Sequence, residues 1–363
     1  MKKVLIISAV IILLVIIFCI GNKKGVIEVS NERSTDSNLE APTVSLEEKI
    51  GQLFIIGHWS ENPLSSTTDL IKENHLGGVI IMDSPENPEE IKTWTQTWQE
   101  NSDTPLFITI DQEGGEVSRL KESSFIQTSQ REIESTDQAY KIGKTRGTEL
   151  KELGINMNFA PVLDNAINPS SFMYGRAFKD IQTSPELAAA MINGMAESEV
   201  IAVTKHFPGH DDTNEDSHKT LPEVNIEKSE LKEYTSPFNK LITKNNPQAL
   251  MIAHLVFPNI AEKPVTLSHF FLTDYLRNEL NFKGIVITDD MSMDAIDKTW
   301  TIEEASVLSL QAGADIILFS SEPTRVPAAI EAIKATISNG DLSIDRIDES
   351  YNRVMDVKKN NLN

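Results

Sequence analysis

Residues 284–290 read GIVITDD, a short apolar stretch that ends in two carboxylates. Its apolar residues follow one another without polar alternation, and most of them are β-branched. Such a run predicts a strand that is covered on both faces, which is typical of a parallel sheet with helical crossovers. The stretch therefore indicates an α/β fold with ionisable groups at a strand end.

The same pattern returns along the chain. Comparable runs occur at 52–57, 78–82, 106–110, 157–161, 201–207, 249–257 and 314–319, with amphipathic helical stretches such as 186–198 and 302–312 between most of them. Eight β–α units over about 310 residues predict a (β/α)8 TIM-type barrel with some long loops. A doubly wound open sheet is the alternative, but no phosphate-binding glycine fingerprint follows the first run.

Composition limits the classes of function. The chain has 363 residues, of which 40% are hydrophobic and 24% charged, as expected of a globular protein. A net charge of -21 leaves no basic face to neutralise phosphates, so we expect no nucleic-acid partner. The one cysteine, Cys19, excludes an internal disulfide.

The amino terminus predicts a membrane partner. Lys2 and Lys3 precede an apolar run over 4–20, and no small-residue cleavage site follows. We interpret residues 1–22 as an uncleaved signal-anchor, in preference to a lipoprotein signal with a lipidated Cys19 or to secretion after cleavage. Each of these alternatives places the remaining chain outside the cytoplasm, and the first two tether it to the membrane.

A domain boundary is expected near residue 45. Residues 23–44 are polar and without apolar period, which is typical of a flexible linker. Ser45 and Glu48 then have capping-box spacing, which predicts a helix whose apolar face carries Leu46, Ile50, Leu53 and Phe54. We therefore assign residues 45–363 to the barrel domain.

Ionisable residues gather at the carboxyl ends of five predicted strands, after the strand, at its end or, for His254, within the run: Asp111 and Glu113, Asp164 and Arg176, Lys205 and His206, His254, and Asp289 and Asp290. The carboxyl ends of the strands of such a barrel meet at one mouth, where active sites lie. The pattern therefore predicts a single site.

Several of these residues have individual interpretations. Asp289 extends its strand and is a candidate nucleophile, whereas Asp290 is better explained as a helix cap or a support. Asp111 stands before Gly114 and Gly115, which permit positive φ, and its carboxylate is suited to grip sugar hydroxyls. Arg119 is interpreted either as a neutralising partner for such carboxylates or as a solvated arginine.

Residues 205–218, KHFPGHDDTNEDSH, allow two readings. His206 and His210 have the spacing of a helical metal pair that Asp212, Asp216 and His218 would complete, but the intervening Pro-Gly makes a helix unfavourable. Asp216 and His218 are instead suited to proton transfer, with the carboxylate fixing the imidazole tautomer. A solvated loop pair is the alternative. The four tryptophans, Trp59, Trp94, Trp98 and Trp300, are interpreted as core residues.

With these residues identified, the chain resembles the β-N-acetylhexosaminidases of glycoside hydrolase family 3. The matching stretches are ITIDQEGGEVSRL, NMNFAPVLDNAINP, GRAF, KHFPGHDDTNEDSHKTLP and GIVITDDMSMDAI, which occur in family order over residues 45–340. The resemblance implies a (β/α)8 catalytic domain and a retaining, exo-acting enzyme without metal or other cofactor. Its substrates would carry terminal β-linked N-acetylglucosamine, as in cell-wall fragments and related oligosaccharides.

The resemblance also implies residue roles. Asp289 would be the nucleophile that forms a covalent glycosyl-enzyme, and His218 would be the acid/base, oriented by Asp216. The sugar-binding positions fall on Asp111, Arg119, Arg176, Lys205 and His206. A catalytically silent sugar- or peptidoglycan-binding barrel is the competing hypothesis, and a metal-dependent barrel hydrolase is the third.

One residue departs from the family pattern. Glycine follows the second histidine of the family motif, whereas Asp211 follows His210 here. If the position requires positive φ, aspartate tolerates it better than most residues, at modest cost. We expect any effect to fall on the loop that carries His218.

Overall fold

The computed structural model describes residues 44–211, 213, 217 and 219–362. In this part of the chain eight parallel strands close into a barrel, and each lies beside its sequence neighbours, with the first strand beside the eighth. The predicted (β/α)8 architecture is therefore confirmed. The predicted anchor over 1–22 and nearly all of the predicted linker over 23–44 lie outside the described residues.

Each predicted run overlaps one barrel strand. The strands are β1 Phe54–His58, β2 Gly78–Ile81, β3 Phe107–Ile110, β4 Met157–Asn158, β5 Ile201–Phe207, β6 Ala249–Ile252, β7 Ile285–Asp290 and β8 Ile316–Phe319. The run over 249–257 is longer than its strand, because its last residues leave the ladder and are buried as a loop; Leu255 and Phe257 have no exposed surface. Apolar continuity alone does not distinguish these two outcomes.

Helices cover the outside of the barrel. They are α1 Leu46–Gly51, α2 Leu64–Asn74, α3 Glu90–Glu100, α4 Thr136–Glu152, α5 Ser184–Glu197, α6 Leu231–Tyr234, α7 Ser236–Asn245, α8 Asp294–Asp297, α9 Ile302–Ala312, α10 Val326–Asn339 and α11 Ile344–Asn361, with a π-helix over Phe270–Glu279. No helix in the described ranges has the length and apolar character to cross a membrane.

The first helix confirms one prediction and corrects another. Ser45 and Glu48 form the predicted capping box. The helix ends at Gly51, however, and Phe54 is the first residue of β1, so the predicted helical face that included Leu53 and Phe54 is wrong. Gly51 lies so close to the backbone of Asn74 that a β-carbon would be 2.0 Å from its carbonyl oxygen. This close approach turns the chain into the barrel.

The last helix packs on the end of the barrel opposite to the carboxyl ends of the strands. The Lys358 ammonium is buried there and donates hydrogen bonds to Gln52 Oε1 at 2.6 Å and to the Gly77 carbonyl at 2.8 Å. It also lies 4.9 Å from the ring centroid of Phe107. These contacts join α11 to the segments that precede β1, β2 and β3.

Two register shifts occur where the predicted site residues lie. The pairing of β5 with β6 shifts between Thr204 and Phe207, and the pairing of β8 with β7 shifts between Ile316 and Leu318, opposite Ile287 and Asp290. Irregularities of this kind redirect side chains out of strict alternation. They allow neighbouring residues, Lys205 with His206 and Asp289 with Asp290, to reach the same side of the barrel mouth.

Candidate active site

A cavity of about 540 Å³ opens at the carboxyl ends of the strands. The ionisable residues that line it are Asp111, Glu113, Glu116, Arg119, Lys121, Arg176, Lys205, His206, Asp289, Asp290 and Asp294. Its apolar lining includes Ile80, Phe159, Met251 and Leu318. All five predicted sugar-binding residues and Asp289 therefore lie around one cavity, as the barrel rule predicts.

Asp111 pairs with two cations. Its carboxylate accepts a hydrogen bond of 2.6 Å from Lys205 Nζ and one of 3.2 Å from Arg119 Nη2. The structure thus resolves the open choice for Arg119, which neutralises a carboxylate and is not simply solvated. Burial would raise the pKa of the Asp111 carboxyl, but the Lys205 ammonium and the Arg119 guanidinium outweigh burial and hold that pKa well below its usual range.

Glu113 is a site residue to which the sequence assigned no individual role. It is 1% exposed and receives two hydrogen bonds from the Arg176 guanidinium, at 2.8 Å and 2.9 Å. Lys205 Nζ lies 2.6 Å from the same carboxylate. Burial opposes ionisation, but Arg176 and Lys205 together lower the pKa of the Glu113 carboxyl. The available signal was its place in the motif, two residues after Asp111 and just before paired glycines.

Lys205 is the centre of this charged cluster. Its side chain is 3% exposed and bridges Asp111 and Glu113. Burial would lower the pKa of the ammonium, but the two carboxylates raise it above the ordinary value, so the group stays charged. The three cations and two carboxylates of this cluster, Lys205, Arg119 and Arg176 with Asp111 and Glu113, together carry one excess positive charge.

The loop after β3 is shaped by the predicted glycines. Gly114 and Gly115 have φ of 89° and 65°, so the prediction of positive φ is confirmed. A β-carbon on Gly114 would lie 2.2 Å from the Thr128 carbonyl oxygen. Gln112–Gly114 and Val117–Ser118 form a short antiparallel hairpin in this loop. The Gln112 side chain fixes the return of the hairpin, since its Oε1 accepts from the backbone N–H groups of Arg119 and Leu120. These contacts present Glu113 and Arg119 to the cavity.

His206 is oriented by Asp164. The His206 ring Nδ1 lies 2.6 Å from Asp164 Oδ2, and the backbone N–H groups of His206 and His210 also donate to this carboxylate. The Lys205–His206 peptide bond is cis. Burial would raise the pKa of Asp164, but the interaction with His206 lowers it, so the ionised carboxylate accepts and Nδ1 donates. Nε2 is the ring nitrogen left for a ligand.

Asp289 and Asp290 both line the cavity but make different contacts. Asp289 lines the cavity at the end of β7, and its Oδ1 accepts the backbone N–H of Asp290 at 2.8 Å. The Asp290 carboxylate accepts from the backbone N–H and hydroxyl of Ser292 and from those of Ser320. Asp290 therefore joins the loops after β7 and β8 as a support, which leaves Asp289 as the candidate for chemistry.

The predicted acid/base pair, Asp216 and His218, lies outside the described residues. Within the same segment, His210 is buried and its ring lies 2.7 Å from Thr213 Oγ1 and 3.2 Å from Ser217 Oγ. Burial, foremost, lowers the pKa of His210 to about 4, so its imidazole is neutral at neutral pH. His210 is thus a buried loop residue, and β5 rather than a helix carries His206.

Of the alternative metal set, Asp212, Asp216 and His218 lie outside the described residues. Among the residues that are described, no group of three or more histidine, cysteine or carboxylate residues has the geometry to hold an ion. His254, noted on the sixth run, is fully buried and contacts the Thr266 hydroxyl and the Asp290 carbonyl oxygen. It supports β7 and is not among the residues that line the cavity.

The tryptophan prediction holds only in part. Trp94 and Trp98 are buried, as predicted. Trp59 packs against the core but also lines the cavity, where its indole N–H donates to the Ser320 carbonyl oxygen at 3.3 Å. It therefore adds an aromatic surface to the wall beside β1 and β8, opposite the charged cluster.

The comparison with known families agrees with this geometry. Residues 45–357 match the model described as the glycosyl hydrolase family 3 N-terminal domain. A β-hexosaminidase of Haemophilus influenzae is 31% identical over 282 residues, which cover 74% of this chain and 79% of that protein. A β-hexosaminidase of Nitrosomonas eutropha is 33% identical over 272 residues, covering 70% of this chain and 77% of that one.

Solved structures show the same likeness. A family 3 β-N-acetylglucosaminidase from Paenibacillus superposes with a TM-score of 0.80 at 34% identity, covering 88% of this chain and 63% of that one. A β-N-acetylhexosaminidase from Beutenbergia cavernae gives a TM-score of 0.79 at 26% identity, covering 87% of this chain and 99% of the other. The match over nearly the whole barrel shows that this chain is a glycosidase of glycosyl hydrolase family 3, among the β-hexosaminidases of that family.

Proposed function

We propose that the protein is a retaining, exo-acting β-N-acetylhexosaminidase that removes terminal β-linked N-acetylglucosamine through a covalent intermediate on Asp289. The observation that carries this proposal is the position of Asp289, which lines the same cavity as the cluster of Asp111, Arg176 and Lys205. A carboxylate nucleophile thus faces groups suited to hold sugar hydroxyls. The relatives named as β-hexosaminidases and as a β-N-acetylglucosaminidase support the choice of substrate class.

The cavity suits the end of a glycan. Apolar side chains fill the barrel below it, including Ile80, Phe159 and Met251, which have almost no exposed surface. Among the described residues, these side chains close the bottom of the cavity, so a sugar can enter it only from the mouth of the barrel. A terminal residue fits such a site better than the interior of a polymer, which supports exo action.

The charged cluster would orient the sugar. Ionised Asp111 accepts hydrogen bonds from hydroxyls, while Lys205, Arg119 and Arg176 donate them, and His206 adds Nε2. Because each charged group is already held by a partner of opposite sign, little reorganisation is needed when a substrate replaces water. Preorganised dipoles and charges of this kind stabilise a transition state effectively.

In the first chemical step, an Asp289 carboxylate oxygen attacks the anomeric carbon as the glycosidic bond breaks. His218, oriented by Asp216, donates its proton to the departing oxygen, so the leaving group departs as an alcohol. The product is a glycosyl ester of Asp289 and a neutral imidazole.

In the second step, neutral His218 removes a proton from water, and the resulting oxygen nucleophile attacks the anomeric carbon of the ester. The ester bond breaks, Asp289 returns as a carboxylate, and His218 is protonated again. Two inversions at the anomeric carbon give net retention. The sugar leaves as the β-anomer.

A fluorinated N-acetylglucosaminide that forms its ester quickly and hydrolyses slowly tests the nucleophile. Mass spectrometry of the digested protein should find the sugar on the peptide that contains Asp289, and the Asp289→Asn variant should not be labelled. Attachment to another residue would refute the assignment. Binding of chromogenic N-acetylglucosaminides without any turnover would favour the silent sugar-binding barrel instead.

We also propose that the substrates are cell-wall fragments and that the enzyme is tethered outside the cytoplasm by residues 1–22. The support is the sequence pattern of that segment. Fractionation of cells that express the full chain should place activity in the membrane fraction, and protease added to spheroplasts should release it. Activity that is confined to the cytosol would contradict the tether.

A further inference from the structure

Asp211 stands where the family motif has glycine, and its side chain makes a contact that glycine cannot make. Its φ is 48°, so the backbone conformation expected from the motif is retained. The Asp211 Oδ1 atom accepts a hydrogen bond of 2.7 Å from the backbone N–H of Asn165. Asn165 belongs to the loop after β4, whereas Asp211 belongs to the loop after β5.

The same two loops are also joined in the opposite direction. Asp164, the residue before Asn165, accepts the backbone N–H of His210 at 2.6 Å, and His210 is the residue before Asp211. Each loop thus donates one backbone N–H to a carboxylate of the other loop: His210 donates to Asp164, and Asn165 donates to Asp211. Two such bonds fix both the separation and the relative rotation of the loops, which one bond cannot do.

This crossed pair stands at the start of the segment that contains the proposed proton donor. The His210 ring contacts Thr213 at 2.7 Å and Ser217 at 3.2 Å, and the Phe172 ring packs edge-on against it at 4.9 Å between centroids. Ser217, which is 2% exposed, lies between Asp216 and His218 in sequence. Displacement of His210 would therefore disturb its contacts with Thr213 and Ser217.

A third contact restrains the same turn. The Tyr234 hydroxyl, from the end of α6, donates to the Gly209 carbonyl oxygen at 2.7 Å. Gly209 is thus held by α6, and residues 210 and 211 are held by the loop after β4. The backbone from which residues 212–218 depart is restrained before that segment begins.

We propose that Asp211 is a positioning residue: its carboxylate holds the start of the 212–218 segment against the loop after β4 and so sets the placement of the proton donor. This proposal rests on the proposed function, in which His218 protonates the leaving group. The competing explanation is that aspartate merely tolerates the left-handed backbone, in which case glycine would serve at least as well.

Three variants separate these explanations. Asp211→Gly keeps the backbone conformation and removes the acceptor, whereas Asp211→Asn keeps both the tolerance of positive φ and a side-chain oxygen. Glu233→Gln is the matched control, because Glu233 is an exposed carboxylate on the wall of the same outer cavity as Asp211. Urea unfolding of each variant verifies that the fold is retained.

Each variant is assayed on two aryl N-acetylglucosaminides, one with a poor and one with an activated leaving group. The comparison uses kcat/KM, which reports the first chemical step, and in that step acid catalysis matters only for the poor leaving group. Asp211→Gly should therefore lower kcat/KM of the first substrate about tenfold and change that of the activated substrate less than about twofold. Asp211→Asn and Glu233→Gln should resemble the wild type on both. Equal losses on both substrates, or no loss on either, would overturn the proposal.

His218→Ala distinguishes failure of this proposal from failure of the proposed function. If His218→Ala shows the leaving-group-selective loss and Asp211→Gly does not, the positioning role alone is refuted. If His218→Ala shows no such selectivity, the assignment of the acid is wrong and the Asp211 proposal falls with it. A wild type that hydrolyses neither substrate would refute the function itself.

Discussion

Glu113 and Arg176 are joined by two hydrogen bonds, of 2.8 Å and 2.9 Å, across 63 residues of sequence. The pair links the hairpin after β3 to the loop after β4, and Lys205 on β5 completes it. Glu113 is almost fully buried, so its carboxylate and the Arg176 guanidinium each offset the cost of removing the other's charge from water. Three consecutive strands of the barrel are thereby held in one arrangement around the cavity.

Glu113→Gln should therefore damage both stability and activity. The amide keeps the shape of the side chain but leaves the buried charges of Arg176 and Lys205 incompletely balanced. We expect the free energy of unfolding to fall by about 3 kcal/mol, and kcat/KM to fall at least about tenfold because Arg176 and Lys205 lose their fixed positions. Urea denaturation and steady-state kinetics measure the two effects.

A surface ion pair provides the control for that substitution. Glu197 pairs with Lys144 on the outside of the barrel, with about half of each side chain exposed. Glu197→Gln should change the free energy of unfolding by less than about 1 kcal/mol, since exposed pairs contribute little. Equal losses in the free energy of unfolding for Glu113→Gln and Glu197→Gln would show that the buried pair stabilises the fold no more than an exposed pair does.

Asp289 and Asp290 should respond differently to the same change. Asp289→Asn removes the proposed nucleophile and should lower kcat by about 10³-fold or more, with no loss of stability. Asp290→Asn weakens the bonds to Ser292 and Ser320, so it should lower the urea midpoint and reduce kcat by only about tenfold. Comparable kcat for the two variants would contradict the division of roles.

Gly114→Ala tests the shape of the loop that carries Glu113. A β-carbon there would meet the Thr128 carbonyl oxygen at 2.2 Å, and φ is already positive. Gly340 also has positive φ, but nothing lies within 4 Å of its β-position. Gly340→Ala should cost about 1 kcal/mol of stability, whereas Gly114→Ala should cost more and also lower kcat/KM. Thermal unfolding and kinetics of both variants make the comparison.

Asp315 should make the fold sensitive to acid. It is fully buried and accepts hydrogen bonds from Arg277, Arg346 and Arg353. Burial would raise the pKa of its carboxyl, but the three guanidinium groups outweigh burial and lower it. Its stabilising contribution is therefore present above the unfolded pKa of about 3.9 and is lost as the pH falls through the lower, folded pKa.

Asp315→Asn should accordingly cost about 3 kcal/mol or more at pH 7, because three buried cations lose their counter-charge. The difference between the variant and the wild type should narrow as the pH falls below about 4. Urea denaturation at pH 7, 5 and 3 measures the difference in the free energy of unfolding between the variant and the wild type at each pH. A difference that stays constant over this range would show that the ionisation of Asp315 does not stabilise the fold.

Much of the site could be predicted because strand direction follows from sequence. Parallel strands bring their carboxyl ends to one mouth, so the sequence alone predicts that Asp111, Lys205 and Asp289 lie together. The positive φ of Gly114 and Gly115 was predictable for the same local reason, since only glycine adopts it at little cost. Both inferences depend on residues that are near in sequence.

The roles of Glu113 and Asp164 could not be predicted in that way, although both were expected at the same mouth. Each acts through a partner distant in the chain, Glu113 through Arg176 and Asp164 through His206, and the distance between such partners depends on barrel closure and strand register. The register shift within β5 is a further example, because strict alternation would place Lys205 and His206 on opposite faces.

The sequence by itself determined the barrel, the mouth at which the chemistry belongs and the family, because apolar runs, their order and short motifs are properties of neighbouring residues. Only the tertiary structure decided which charges neutralise one another, that Arg119 is paired, that Asp290 is a support and that the Asp211 carboxylate reaches Asn165. Those outcomes are set by distances of a few ångströms between separate loops, and packing of the whole barrel fixes such distances.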